Sequence, residues 1–101
     1  MSLERNLSAD GKVLTITLDD KFDFGKVQEF RQAYSENVDN VNHVVVDLVN
    51  TEYMDSSALG MLLNMQKTLR DQVQKFSIVN CRPQVSKILQ ISRFDKKFDL
   101  Q

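Results

Sequence analysis

Apolar and polar residues alternate with a period of two over residues 12–19 (KVLTITLD). Leu14, Ile16 and Leu18 fall on one side and Val13, Thr15 and Thr17 on the other, the pattern of a strand with one buried face. Residues 2–8 (SLERNLS) are joined to it through Asp10 and Gly11, a dipeptide that favours chain reversal, so the chain is expected to open as a hairpin. The period then changes. Over residues 24–38, Phe24, Val27, Phe30, Tyr34 and Val38 recur every three or four positions with Lys26, Glu29, Arg31 and Glu36 between them, which predicts an amphipathic helix. Residues 43–50 (HVVVDLVN) are nearly continuous in β-branched and aliphatic side chains and predict a central strand covered on both faces.

Residues 56–71 (SSALGMLLNMQKTLRD) return to helical spacing, with Ala58, Leu62, Met65 and Leu69 forming one stripe. Residues 75–80 (KFSIVN) predict a further strand. Pro83 is placed to open a third helix through Val85, Ile88, Leu89 and Ile91, with Phe94 and Phe98 folding back onto the core. The last six residues, KKFDLQ, match no period. Alternation of strands and helices implies an α/β fold whose later strands run parallel, made mixed by the opening hairpin. In such folds ligands and partners gather at the carboxyl ends of the parallel strands. There the polar loops 20–24, 50–57 and 80–83 are expected to converge.

Composition narrows the function. A chain of 101 residues makes one core, so residues 1–101 are read as a single domain, and 42% hydrophobic with 27% charged residues predicts a folded one. Thirteen basic and fourteen acidic residues are interspersed, giving a net charge of −1 and no single-sign field for nucleic acid or an anionic membrane. No apolar run reaches the ~18 residues of a spanning helix, and the start lacks the apolar core of a secretory signal, so a cytoplasmic location is expected. With one cysteine, Cys81, and one histidine, His43, neither a disulfide within the chain nor a zinc cluster is expected, and no cofactor or metal is assigned. Cys81 reads as a packing residue, an intermolecular disulfide being the alternative.

The segment 51–60 (TEYMDSSALG) carries the candidate chemistry, because it sets an acid and two hydroxyls between a buried strand and a helix. Aspartate and serine are common helix N-caps, but capping requires one such side chain and three are present. A phosphoryl group on a serine here would sit at the positive end of the helix dipole, near free N–H donors, and would place a new charge beside Asp55. A serine hydrolase is not expected: His43 begins the central strand, at the opposite end from Ser56, and no G-x-S-x-G pattern is present.

Tyr53-Met54-Asp55-Ser56-Ser57-Ala58-Leu59-Gly60, following VVVDLV, resembles the signature of STAS-domain anti-sigma factor antagonists, typically D-S-[ST]-G-L-G. Residues 14–24 (LTITLDDKFDF) resemble that family's second strand and acidic loop, and residues 75–94 its last strand and helix. The resemblance implies a mixed four- to five-stranded β-sheet with three to four helices packed mainly on one face, and no enzymatic activity. It implies Ser56 as phosphoacceptor, with Ser57 as fallback, and a partner surface of Asp23, Asp55, Ser57, Ala58, Leu59 and Met61. The implied partners are a GHKL-type serine kinase, often itself an anti-sigma factor, and a PP2C-type phosphatase, met by a monomer in transient hetero-complexes. Ala58 stands where the family usually has glycine, whereas Gly60 is retained and is expected to serve close packing. Leu59, Met61 and Leu63 lie off the α-helical stripe and suggest an apolar patch. The sequence also resembles SypA-like regulators of biofilm or exopolysaccharide output. A structural STAS subunit of a transport complex, its serine never modified, is the remaining alternative.

Overall fold

Strands and helices alternate along residues 3–101, the part of the protein that a computed structural model describes. They are β1 (Leu3–Leu7), β2 (Val13–Leu18), β3 (Lys21–Phe22), α1 (Val27–Ala33), β4 (His43–Asp47), β5 (Tyr53–Met54), α2 (Ser56–Leu69), β6 (Lys75–Val79), α3 (Pro83–Ile91) and β7 (Asp99–Leu100). Five strands form one mixed sheet in the order β1-β2-β4-β6-β7, and β3 pairs with β5 separately. β1 runs antiparallel to β2, and every later pairing is parallel.

The opening hairpin forms as expected, although its predicted start at Ser2 lies outside the described residues. Gly11 has φ +74°, a left-handed conformation that glycine adopts without steric cost. Asp10 fixes the reversal by accepting the Ser8 hydroxyl at 2.7 Å and the Lys12 amide at 3.0 Å. The Ser8 hydrogen bond, foremost, holds the Asp10 carboxyl below the usual range.

Period-two burial is seen in β2, where Leu14, Ile16 and Leu18 are buried and the intervening residues half-exposed. In register beside them, Val44 and Val46 of β4 and Phe76 and Ile78 of β6 face the same way. Leu62, Met65, Val85 and Leu89 meet this layer from the helices and are fully buried, each contributing about 1.5–3 kcal/mol through burial.

Two expectations need correction. β4 is central, but it is covered on one face: Val45 points to the other side between Thr15 and Ser77 and is half-buried. Its β-branched run suits a pleated strand whether or not both faces are covered. The helix expected over 24–38 is also shorter. Residues 24–26 form a 3-10 turn, α1 ends at Ala33, and Asn37 adopts φ +54°. Arg5 of β1 stops it by donating from Nε to the Ala33 carbonyl at 2.7 Å and from its terminal nitrogen to the Glu36 carbonyl. Its charge also offsets the negative helix end. Tyr34 and Val38 still reach the core from beyond the helix, whereas Phe24 is 71% exposed.

α3 begins at Pro83, as expected, and Val85 and Leu89 bury its inner face while Ile91 is exposed. Phe94 and Phe98 fold back, their rings stacked at 5.5 Å, and Phe98 meets Phe76 edge-on at 6.0 Å. The unassigned tail becomes the edge strand β7 against β6. No helix among the described residues is long and apolar enough to cross a membrane.

Candidate functional site

The short parallel pair of β3 and β5 builds the site. Lys21 lies opposite Tyr53 and Phe22 opposite Met54. Phe22 and Met54 are buried and anchor both segments, so the next residue on each, Asp23 and Asp55, emerges beside the other. Each aspartate has extended backbone and caps the turn that follows. Asp23 accepts the Gly25 amide at 3.0 Å, and Asp55 accepts the amides of Ser57 at 3.0 Å and Ala58 at 3.2 Å. These bonds satisfy donors that a helix start otherwise leaves without partners.

Side-chain and backbone bonds stitch the loops together. The fully buried Thr51 donates its hydroxyl to the Asp19 carbonyl at 2.8 Å, and the amides of Glu52 and Tyr53 donate to the Asp20 carbonyl at 2.8 and 3.1 Å. Lys26 pairs with Asp19 at 3.3 Å. From α3, the Gln84 amide reaches the Glu52 carbonyl at 3.3 Å, bringing the third loop alongside. The loops expected at 20–24, 50–57 and 80–83 thus meet at one end of the sheet.

The two serines differ. Ser56, the first residue of α2, is exposed. Ser57 is half-buried, and its hydroxyl donates to the Asp55 carboxylate at 2.5 Å. That bond is the first cause, ahead of the two amides, that holds the Asp55 carboxyl below its usual range. The first-turn donors expected to be free are therefore partly occupied. A phosphoryl group on Ser56 would meet the helix dipole but would have to displace Asp55 to take the amides of Ser57 and Ala58.

Burial corrects part of the expected partner surface. Ala58 is fully buried and Met61 is 8% exposed, because both turn into the core with Leu62 and Met65. Neither is on the face a partner would meet. Leu59 is half-buried against the core, and Leu63 is exposed further along the helix. Gly60 is exposed, and nothing lies within 4 Å of the place a Cβ would occupy, so it serves no close packing within the chain.

Sequence reasoning missed Phe24 and Tyr53, exposed aromatics that directly follow Asp23 and stand two residues before Asp55, because Phe24 fits the helical spacing of the following segment. A signal was present: Lys21-Phe22-Asp23-Phe24 and Tyr53-Met54-Asp55-Ser56 both set a buried apolar residue before an aspartate at a helical turn.

His43 lies away from this end. It starts β4 between Val13 and Lys75, with Nε2 2.9 Å from the Ser77 hydroxyl. Burial and then Lys75 lower its pKa, while Asp99 acts in the opposite sense. Cys81 is half-buried, and burial followed by Asp47 raises its thiol pKa, which keeps it protonated. Among the described residues no group of three or more His, Cys, Asp or Glu is placed to hold a metal ion.

The fold resembles solved structures of SpoIIAA. The unphosphorylated anti-sigma factor antagonist SpoIIAA superimposes with a TM-score of 0.72 over 88% of this chain and 82% of that one, at 20% identity. The phosphorylated form, from Bacillus, gives 0.74 over 99% and 91%, at 19% identity. In sequence, a STAS-domain containing protein of Pseudomonas aeruginosa (strain UCBPP-PA14) is 46% identical over 93 residues, 92% of each chain. The anti-sigma F factor antagonist of Paenibacillus polymyxa is 26% identical over 94 residues, 91% of this chain and 80% of that one. The family model for the STAS domain matches residues 4–101, and the chain belongs to the STAS domain family.

Proposed function

We propose that this protein is a non-enzymatic, phospho-regulated binding module of a bacterial partner-switching pathway, acting as a cytoplasmic monomer of one domain. Unphosphorylated, it binds a GHKL-type serine kinase through the end of the sheet that carries Asp23, Asp55, Ser56, Ser57 and Leu59. Exposed Phe24 and Tyr53 add apolar anchors, since aromatics carry much of the energy of protein interfaces. The kinase phosphorylates Ser56, and a PP2C-type phosphatase restores the binding form.

One observation carries this reading: of two adjacent hydroxyls, Ser57 is held by Asp55 and Ser56 is open to solvent. Phosphate on Ser56 adds about −1.5 to −2 charges next to Asp55 at neutral pH. Set against a partner with no compensating cation, such a charge costs about 2–5 kcal/mol. That weakens affinity about thirtyfold to several-thousandfold.

The test is intact mass after incubation with the cognate kinase and ATP, together with kinase capture. The wild type and Ser57→Ala should gain one phosphate, and Ser56→Ala should gain none while still binding the kinase. Ser56→Glu should bind it more weakly. A wild type that never changes mass in a permanent complex would favour a structural subunit instead.

A further inference from the structure

Along the half of α2 remote from Ser56, a cleft of about 690 Å³ opens between the helix and the chain returning into β7. Leu63 and Phe76 lie in its lining, with Lys67 and Arg70 on the helix side and Lys96 and Lys97 on the tail side. Leu63 and Lys67, four residues apart, share one face of α2, and Arg70, its helical C-cap residue three positions on, continues that face. The Gln66 side-chain amide donates to the Lys97 carbonyl at 2.5 Å and ties the two walls together.

The four cations have no acidic partner among the described residues, whose ion pairs join Lys26 to Asp19 and Lys75 to Asp99. A structural role accounts for part of the charge: cations near a helix C-terminus offset a dipole end equivalent to about half an elementary charge. Four full charges exceed that requirement. They are gathered on one cleft of a chain whose net charge is −1.

We propose that this cleft docks a short acidic, amphipathic polypeptide segment of a partner protein. An apolar side chain of that segment would rest against Leu63 and Phe76 while its carboxylates reach the cations of both walls. Facing rows of cations suit carboxylates spaced along a chain, and arginine pairs with carboxylates in bidentate geometry. A compact polyphosphate fits less well, because the α2 terminus here presents carbonyls and not amide donors. Ser56 and Lys67 are eleven residues apart, about 16 Å along a helix, so this surface stands apart from the phosphorylation reading.

Fluorescence anisotropy with a labelled hexapeptide of alternating aspartate and leucine tests the proposal. The wild type should bind it, more weakly as salt rises, and Arg70→Glu and the pair Lys96→Glu with Lys97→Glu should each lose about tenfold or more in affinity. Leu63→Ser, or serine in place of the peptide leucines, should weaken binding as well. Ser56→Glu should bind the peptide like the wild type, which separates this surface from the kinase-binding one. All altered positions are exposed, and circular dichroism checks that the variants keep the fold. Equal peptide binding by the wild type and the charge-reversed variants would overturn the proposal. So would tripolyphosphate or ATP binding there more tightly than the peptide, which would make the cleft a small-anion site.

Discussion

Gly60 sits in the second turn of α2 with open space where a side chain would be, so the fold gains nothing from its lack of a Cβ. Replacing it with alanine should stabilise the protein by about 1 kcal/mol, because glycine is that much worse in a helix interior. In thermal unfolding the midpoint should rise about 4–8 °C. If Gly60→Ala also weakens kinase capture, the partner approaches the helix backbone there. Asp55 makes the opposite kind of contribution. Its carboxyl lies below the usual range in the fold, so its stabilisation is present above the unfolded pKa of about 3.9 and lost as pH falls through the folded value. Asp55→Ala should lower the melting midpoint at pH 7, and the gap to the wild type should close as both are acidified. At this scale sequence alone identified Asp55 and the pair of serines. Which serine is open and which is held depended on the Ser57 hydroxyl turning back onto Asp55.

Elements with a full period were legible: β2 by its alternation, α2 by its stripe, and α3 by Pro83 and its two buried residues. The two-residue strands β3, β5 and β7 were not, since two residues carry no period and are strands because a neighbour supplies the hydrogen bonds. α1 was overextended because Tyr34 and Val38 keep helical spacing, while the arginine that ends the helix lies on β1. β7 is held by the aromatic cluster that precedes it. Phe98 is 3% exposed between Phe94 and Phe76, and Phe98→Ala should cost about 3–5 kcal/mol. Hydrogen exchange should show the amides of β7 losing protection beyond what the global loss explains. Retained protection there would mean that the β6 ladder alone holds the strand.

Across the whole molecule, three helices cover one face of the sheet and leave His43, Val45 and Ser77 on the other. His43, the one histidine, has Lys75 and Asp99 beside it and a pKa below its ordinary value. A base with a depressed folded pKa contributes stability above its unfolded pKa of about 6.5 and loses it as pH falls through the folded one. The urea midpoint should therefore decline from pH 7 toward pH 5, and His43→Gln should remove that slope. An unchanged slope in the variant would assign it to other groups. Hydrophobic period and turn chemistry, which are local and need no partner, were enough to determine an α/β chain with a mixed sheet, its main helices and a polar segment at the mouth of α2. Tertiary structure decided what depends on distant residues: that the segments at 20–24 and 50–57 pair through β3 and β5, that Met61, off the apolar stripe, also turns inward, and that Phe24 turns out. Burial and pairing belong to surfaces brought together by folding, and a one-dimensional pattern gives the period of a face without naming what lies against it.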